Sequence, residues 1–104
     1  LDLRAIKALR HSARGLDIYC WLASRLWRVK KPTKVRWTSL KWQFGQPEQN
    51  LESFKRAFKA ALVQVKVVYP EARVQIVRGG VKLTTSAPPI PFSDNTLLVR
   101  NLLG

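Results

Sequence analysis

Apolar residues recur three and four positions apart in several stretches of the chain, which is the spacing of amphipathic helices. The first stretch predicts a short helix over residues 1–10, with Asp2 as its N-cap. Ser12 offers a second N-cap, and the apolar positions after it predict a helix over residues 13–27. Because this second helix must pack against a core, we expect Cys20 to be buried in it as a small hydrophobe.

The longest periodic stretch predicts a helix over residues 51–68, which Pro70 closes. Its apolar face consists of Leu51, Phe54, Phe58, Ala61, Leu62 and Val65. The opposite face consists of Gln49, Glu52, Arg56 and Lys59, with Ser53 and Lys55 at the flanks. A shorter helix precedes it, with Thr38 or Ser39 as the expected N-cap and Gly45 at its end.

Strict alternation of apolar and polar residues predicts a β-hairpin near the end of the folded part. Residues 73–78 and 81–85 alternate on either side of the dipeptide Gly79-Gly80. Because glycine adopts positive φ without steric cost, this pair predicts a two-residue type I′ loop. In the first strand we expect Val74 and Ile76 to face the core.

The order of these elements is typical of a winged helix-turn-helix, an α+β fold. It comprises three or four helices, a short strand predicted at residues 35–37, and a C-terminal hairpin that forms the wing. We assign residues 1–91 to this domain and residues 92–104 to a tail that docks a partner or is disordered. Met is absent even at position 1, so we expect the chain to be part of a longer protein.

The charge of the chain indicates its partner. The 104 residues include 19 Lys plus Arg against 6 Asp plus Glu, which gives a net charge of +13. Such a charge works against compaction, and solubility alone needs a magnitude of only ~2 to 8. We therefore predict an anionic partner, with nucleic acid first. One acid-free segment holds seven of the cations: Arg25, Arg28, Lys30, Lys31, Lys34, Arg36 and Lys41.

Candidate catalytic and metal-binding groups are few. Six scattered acids, His11 and Cys20 provide no paired carboxylates, no activated nucleophile and no metal-ligand spacing. We therefore predict that the chain is not an enzyme and binds no metal or cofactor. Its apolar stretches fall short of the roughly 20 residues of a membrane span, so we predict no membrane partner. A single cysteine fits a reducing compartment, which favours the cytoplasm.

The winged-helix interpretation predicts a site on duplex DNA, because the N-terminal part of a recognition helix enters the major groove. Base contacts are predicted for Gln49, Asn50, Ser53, Arg56 and Lys59. Backbone contacts are predicted for Lys30, Lys31, Lys34, Arg36, Lys41, Lys55, Arg73, Arg78 and Lys82. Two alternatives remain open: Asn50 caps the helix, and Arg78 and Lys82 protect the hairpin edge from aggregation.

The tryptophans leave further functions open. We expect Trp21 to pack in the core and favour the same for Trp27, Trp37 and Trp42. These last three stand among basic residues, a combination that also marks binding of RNA or single-stranded DNA. Leucines after Pro91 suggest a protein-interaction or dimerisation module instead. Another DNA-binding regulator, such as a transcriptional repressor, is a further alternative.

Several motifs of the chain also resemble a known family. These are LDIYCWLASRLWRVKKPTKVRWTSLKWQFG, then FKRAFKAALVQVKVVYPEARV, then GGVKLTTSAPPIP. They resemble the domain near the C-terminus of RepA-type replication initiators of bacterial plasmids, and the similarity covers about residues 1–91. The most specific marks are the aromatic-rich helix leading into KKPT, the QFG ending, the FKRxFKxAL helix and the YPEARV strand entry.

The resemblance implies a bacterial initiator that binds repeated sites in a plasmid origin through winged-helix domains. It further implies opening of the duplex and recruitment of the host replication initiator and replicative helicase. The matching positions would be residues 51–66 for base contact and residues 73–85 for backbone contact. The chain departs from the family in length, since initiators of this kind are usually longer. If the chain is part of a longer protein, dimerisation or helicase loading would lie outside it.

Overall fold

The computed structural model describes residues 3–89 and has an α+β architecture, as predicted. Its helices are α1 (Leu3–Leu9), α2 (Ala13–Arg25), α3 (Trp37–Phe44) and α4 (Leu51–Val68), and a 3-10 turn, Leu26–Arg28, continues α2. Its strands are β1 (Thr33–Arg36), β2 (Arg73–Val77) and β3 (Gly80–Thr84), which form one antiparallel sheet. This layout is compatible with a winged helix. The predictions for Asp2 and for residues 92–104 lie outside the described residues.

Side-chain caps begin two of the helices where the sequence predicted them. At the start of α2, Ser12 Oγ accepts a hydrogen bond from the amide of Gly15 at 3.0 Å. At the start of α4, Asn50 Oδ1 accepts one from the amide of Ser53 at 2.8 Å. Each cap satisfies an amide that has no partner within its own helix. The capping role left open for Asn50 is therefore present in the structure.

Helix α3 begins differently from the prediction. Its first residue is Trp37, which the alternation pattern assigned to the strand, and its N-cap Arg36 makes no side-chain capping hydrogen bond. The Trp37 amide instead donates to the carbonyl of Gly79 in the hairpin turn, at 3.2 Å. Neither Thr38 nor Ser39 is therefore the N-cap. A hydrogen bond from a distant part of the chain replaces the local cap that we expected.

The sheet has the order β1-β3-β2, so β3 is central. Val74 pairs with Leu83, and Val81 pairs with both Val35 and Ile76, so these side chains share the face toward the core. Val74, Val81 and Leu83 are buried, but Ile76 is 44% exposed. The prediction that Ile76 is a core residue is wrong, because it lies on an edge strand, one pair before the turn, where no further strand shields it.

The hairpin turn lies one residue earlier than predicted. Because Val77 pairs with Gly80, the loop is formed by Arg78 and Gly79. Only Gly79 has positive φ, at 83°, whereas a type I′ turn needs it at both loop positions, so that turn type is wrong. Gly80 is required for a different reason, because the neighbouring strand β1 leaves no room for a side chain at this position. A Cβ placed there would clash with the carbonyl oxygen of Val35.

One hydrophobic core holds the helices and the sheet together. Its largest fully buried side chains are Tyr19, Tyr69, Phe54, Phe58, Ile18, Leu22, Leu26, Leu40, Leu83, Val65 and Val81. The predicted apolar face of α4 is therefore confirmed as its inner face. Cys20, by contrast, is exposed. It shares the outer side of α2 with Asp17 and Ser24, three and four positions away, so its predicted burial is wrong.

Tyr69 ties the core to the segment after β3 and makes stability depend on pH. Its ring is fully buried, and its hydroxyl donates to the carbonyl of Ala87 at 2.6 Å. Burial raises the pKa of Tyr69 from 10.0 to about 12, and the charges of Glu71 and Tyr19 add to the effect. Because the folded pKa exceeds the unfolded one, the folded state retains this proton more tightly. The associated stability is complete below pH 10 and is lost between pH 10 and 12.

We expect the free energy of unfolding, measured by urea titration, to fall by roughly 2 to 3 kcal/mol over that interval on account of Tyr69. Tyr69→Phe is the control, since it lacks the titrating group. It should begin about 1 kcal/mol less stable, for want of one hydrogen bond, and should lose less stability above pH 10. Identical pH profiles for the two proteins would contradict this assignment.

Candidate nucleic-acid interface

The solvent face of α4 carries two cations on successive turns. Its apolar side is buried in the core, so Arg56 and Lys59 project into solvent. Arg56 makes no hydrogen bond or ion pair with the described residues. The ammonium of Lys59 lies 5.8 Å from the centre of the Trp37 ring, a cation–π contact. Both cations remain accessible to an anionic ligand.

Trp37 connects this face of α4 to the hairpin. Its buried ring packs edge-on against Phe54 and Phe58 of α4, with ring centres 6.5 and 5.7 Å away. Its backbone amide donates to the carbonyl of Gly79 in the turn. One residue therefore contacts α4 through its side chain and the hairpin through its backbone, and Lys59 and the turn lie close to the same tryptophan.

The outer face of the sheet is also cationic. The register places Lys34 of β1 directly opposite Lys82 of β3, and Arg36 follows on the same face two residues later. The Lys34 ammonium lies beside the hairpin turn: if Gly79 carried a Cβ, that atom would be 2.9 Å from Lys34 Nζ. None of the three strands within residues 3–89 contains an acidic residue. Like charges directly opposite each other destabilise an antiparallel pair, so folding stability does not account for this arrangement.

The loop that leads into β1 extends this surface. Lys30 and Lys31 are exposed there, and together with Arg25 and Arg28 they surround a shallow cavity of about 400 Å³. No acidic residue lies in this part of the sequence. Lys30 and Lys31, which are predicted to contact the DNA backbone, thus lie at one end of β1, and Arg36 lies at the other. Cations are therefore present along the whole length of the strand.

The remaining cations of the hairpin occupy its two ends. Arg78 is exposed in the turn. Arg73, at the start of β2, lines a second cavity of about 380 Å³ together with Lys66 and Lys82. Lys66 belongs to the last turn of α4 and is a basic neighbour of the hairpin that the sequence patterns did not single out. Its place follows from the chain reversal at Pro70, which returns β2 beside the end of α4.

Several predicted contact residues already have partners within the chain. Lys55 forms an ion pair with Glu52, with 3.2 Å between Nζ and Oε1. Lys41 donates to the backbone carbonyl of Pro47 at 3.3 Å. Asn50 uses its Oδ1 as the cap of α4, while Ser53 is half-buried and donates its amide to that cap. These residues have fewer free polar atoms for a ligand than Arg56 has.

Two tryptophans do not pack in the core, contrary to the favoured expectation. Trp42 is 91% exposed and Trp27 is 57% exposed, whereas Trp37 is buried as expected. Trp37 and Leu40 are the buried residues of α3 and define its inner side. Trp42 follows Leu40 by two residues, which is a rotation of 200° about the helix axis, so its side chain points into solvent. Trp27 lies in the 3-10 turn, with the guanidinium of Arg28 5.8 Å from its ring centre. A helical wheel of α3 would therefore have predicted the exposure of Trp42 from the sequence.

Gln49 has an unusual environment just before α4. Its backbone amide donates to the carbonyl of Gln46 at 3.1 Å. Its side-chain Oε1 is buried and accepts no hydrogen bond from the described residues. The side chain also lines a surface cavity of about 380 Å³ with Thr38, Lys41, Trp42 and Leu51. A predicted base-contact residue is thus held with one polar atom unsatisfied.

Metal-ligand clusters and membrane-spanning helices are both absent from the described residues. Residues 3–89 contain no group of three or more His, Cys, Asp or Glu that could hold a metal ion. Within the same range no helix is long and apolar enough to cross a membrane. No family model, curated protein or solved structure matches the chain. The comparisons therefore assign the chain to no family.

Proposed function

We propose that the chain is a winged helix-turn-helix domain that binds double-stranded DNA in a sequence-specific manner. Helices α3 and α4 form the helix-turn-helix, and the β2-β3 hairpin is the wing. The element order and the β1-β3-β2 sheet support this assignment. The observation that carries it is the double contact of Trp37, which brings the cations of α4 and those around the hairpin turn next to each other.

The two groups of cations have different tasks in this proposal. The exposed N-terminal half of α4 enters the major groove, where Arg56 suits bidentate recognition of guanine and Lys59 lies one turn further along. Lys34, Arg36 and Arg78 hold the phosphate backbone beside it. Phosphate contacts fix the register of the protein on the duplex, and base contacts supply the sequence preference.

We extend the proposal to plasmid replication on the strength of the family resemblance. The domain would recognise repeated sites in the origin as part of a RepA-type initiator in the bacterial cytoplasm. The host replication initiator, the replicative helicase and a second copy of the chain would be its protein partners. The domain would act by binding rather than by catalysis.

The test of this function is selection of binding sites from random duplexes, followed by footprinting on a plasmid origin. We expect one enriched sequence and protection of its repeats. Arg56→Ala should weaken binding to the selected site by about 1 to 3 kcal/mol and relax the preference at one position. Arg10→Ala, which removes an exposed arginine after α1, is the matched control and should bind normally.

Two results would count against these assignments. Equal affinity for the selected site and for random duplex DNA would overturn sequence-specific binding. An equal loss of affinity for all sequences in Arg56→Ala would move Arg56 from base contact to phosphate contact. A protein that binds no duplex at low salt would refute the proposed function as a whole.

A further inference from the structure

The indole of Trp42 is the most exposed large hydrophobic side chain in the described part of the chain, at 91%. It has no ring or cation contact with any described residue, unlike Trp27, which Arg28 partly covers. Trp42 contributes little to the core, because almost none of its surface is removed from water. Both faces of its ring are available to a planar ligand.

The surroundings of Trp42 offer more than an apolar surface. A cavity of about 380 Å³ lies beside the indole, with Thr38, Lys41, Gln49 and Leu51 as its other lining residues. Lys41 is held in place by its hydrogen bond to Pro47 and supplies a positive charge. The site therefore combines an aromatic ring, an aliphatic wall, a cation and an amide.

The amide of Gln49 is a second, independent indication of a ligand. Its Oε1 is buried with no hydrogen-bond donor among the described residues. A buried acceptor without a donor is unfavourable, so the side chain gains free energy when it rotates outward to a donor on a ligand. The exocyclic amines of adenine and cytosine are donors of this kind.

We propose that Trp42 stacks on an unpaired DNA base, with the Gln49 amide accepting from the exocyclic amine and Lys41 near the phosphate. Aromatic side chains stack on every base because every base has a π-face. A base within a duplex is covered by its neighbours on both sides, so the ligand is single-stranded. This inference rests on the proposed function only in taking DNA as the ligand, and it adds a second contact beside the start of α4.

The experiment titrates the chain with 12-nucleotide oligo-dA and oligo-dT and follows tryptophan fluorescence and anisotropy. Trp42→Ala should weaken binding of the single strands by roughly tenfold, the scale of one lost base–aromatic stack. Trp27→Ala is the matched control, since it removes the other exposed indole, and should change the affinity little. Gln49→Ala should remove a preference for oligo-dA over oligo-dT, because thymine has no exocyclic amine.

The outcomes separate this site from duplex binding. Thermal unfolding of Trp42→Ala should match the original chain, because an exposed side chain is lost. Equal single-strand affinities for Trp42→Ala and Trp27→Ala would overturn the stacking site and leave the proposed duplex function intact. Weakening of duplex and single strand by the same factor would assign Trp42 to the duplex interface and refute the proposal. Failure of the original chain to bind duplex DNA would refute the proposed function. The single-strand titration would still test the stacking site, because it does not depend on duplex binding.

Discussion

Replacing Gly80 by alanine is expected to destabilise the domain by about 3 kcal/mol, the upper end of the cost of overpacking. The new Cβ would clash with the carbonyl oxygen of Val35 and would lie 3.0 Å from Cα of Arg36. Both are backbone atoms of β1, so no side-chain rotation relieves the clash. Relief requires β1 to move away from β3, which breaks the hydrogen-bonded pairing of the central strand.

Urea denaturation measures the loss, and the adjacent glycine supplies the control. Gly79 has positive φ, which asparagine tolerates better than other residues, and a Cβ there meets only the flexible side chain of Lys34. Gly79→Asn should therefore cost only about 1 kcal/mol. If Gly80→Ala were as stable as the original chain, the close approach of the two strands would be refuted.

These two glycines also illustrate the limits of the sequence patterns. The dipeptide correctly predicted a hairpin between two alternating segments. It did not reveal which residues form the loop, because that is set by the register of β2 on β3, in which Val77 pairs with Gly80. Strand β1, more than 40 residues earlier in the chain, explains Gly80, because its backbone leaves no room for a side chain there. A local rule attributed both glycines to backbone conformation, whereas only Gly79 has the positive φ.

Helix α4 shows where local information was sufficient. Its predicted range coincides with Leu51–Val68 because Asn50 caps one end, Pro70 follows the other, and the apolar positions between them keep one period. The start of α3 was missed by contrast, since its capping contact comes from Gly79. A side-chain pattern along the chain does not contain that partner.

In the candidate interface, too, some features could be predicted from the sequence and others depend on tertiary packing. The cations around β1 were evident from their density in the sequence, and the outward position of Arg56 followed from the helical wheel. The proximity of Lys59 to the hairpin was not predictable, because Trp37 contacts both elements through tertiary packing. Lys34 and Lys82 likewise become neighbours only through the register of the sheet.

The double substitution of Lys34 and Arg36 by glutamine is expected to weaken DNA binding strongly and to change its dependence on salt. Each lost phosphate contact reduces the slope of log K against log salt by about 0.9, so two contacts reduce it by about 1.8 from roughly −7 for eight contacts. Extrapolated to physiological salt, the same relation gives a loss of affinity of roughly 30-fold. Filter binding or anisotropy across a salt series measures both quantities.

The matched control removes two exposed cations from another part of the molecule. Lys7→Gln with Arg10→Gln gives the same net charge, but α1 packs on α2 and α4. It should keep the slope near that of the original chain. Equal losses in the two double variants would mean that DNA responds to net charge alone, and the assignment of the sheet face as an interface would be wrong.

Folding stability provides the decisive second measurement on this double variant. Lys34 stands directly opposite Lys82, so glutamine at position 34 removes a repulsion between like charges. The free energy of unfolding should therefore stay constant or rise by a few tenths of a kcal/mol. Weaker DNA binding by an equally stable or more stable protein cannot be attributed to unfolding. The chain keeps the Lys34–Lys82 repulsion although it lowers folding stability, and this is the main reason to regard these cations as a binding surface. If the double variant lost stability and affinity together, that reason would be removed.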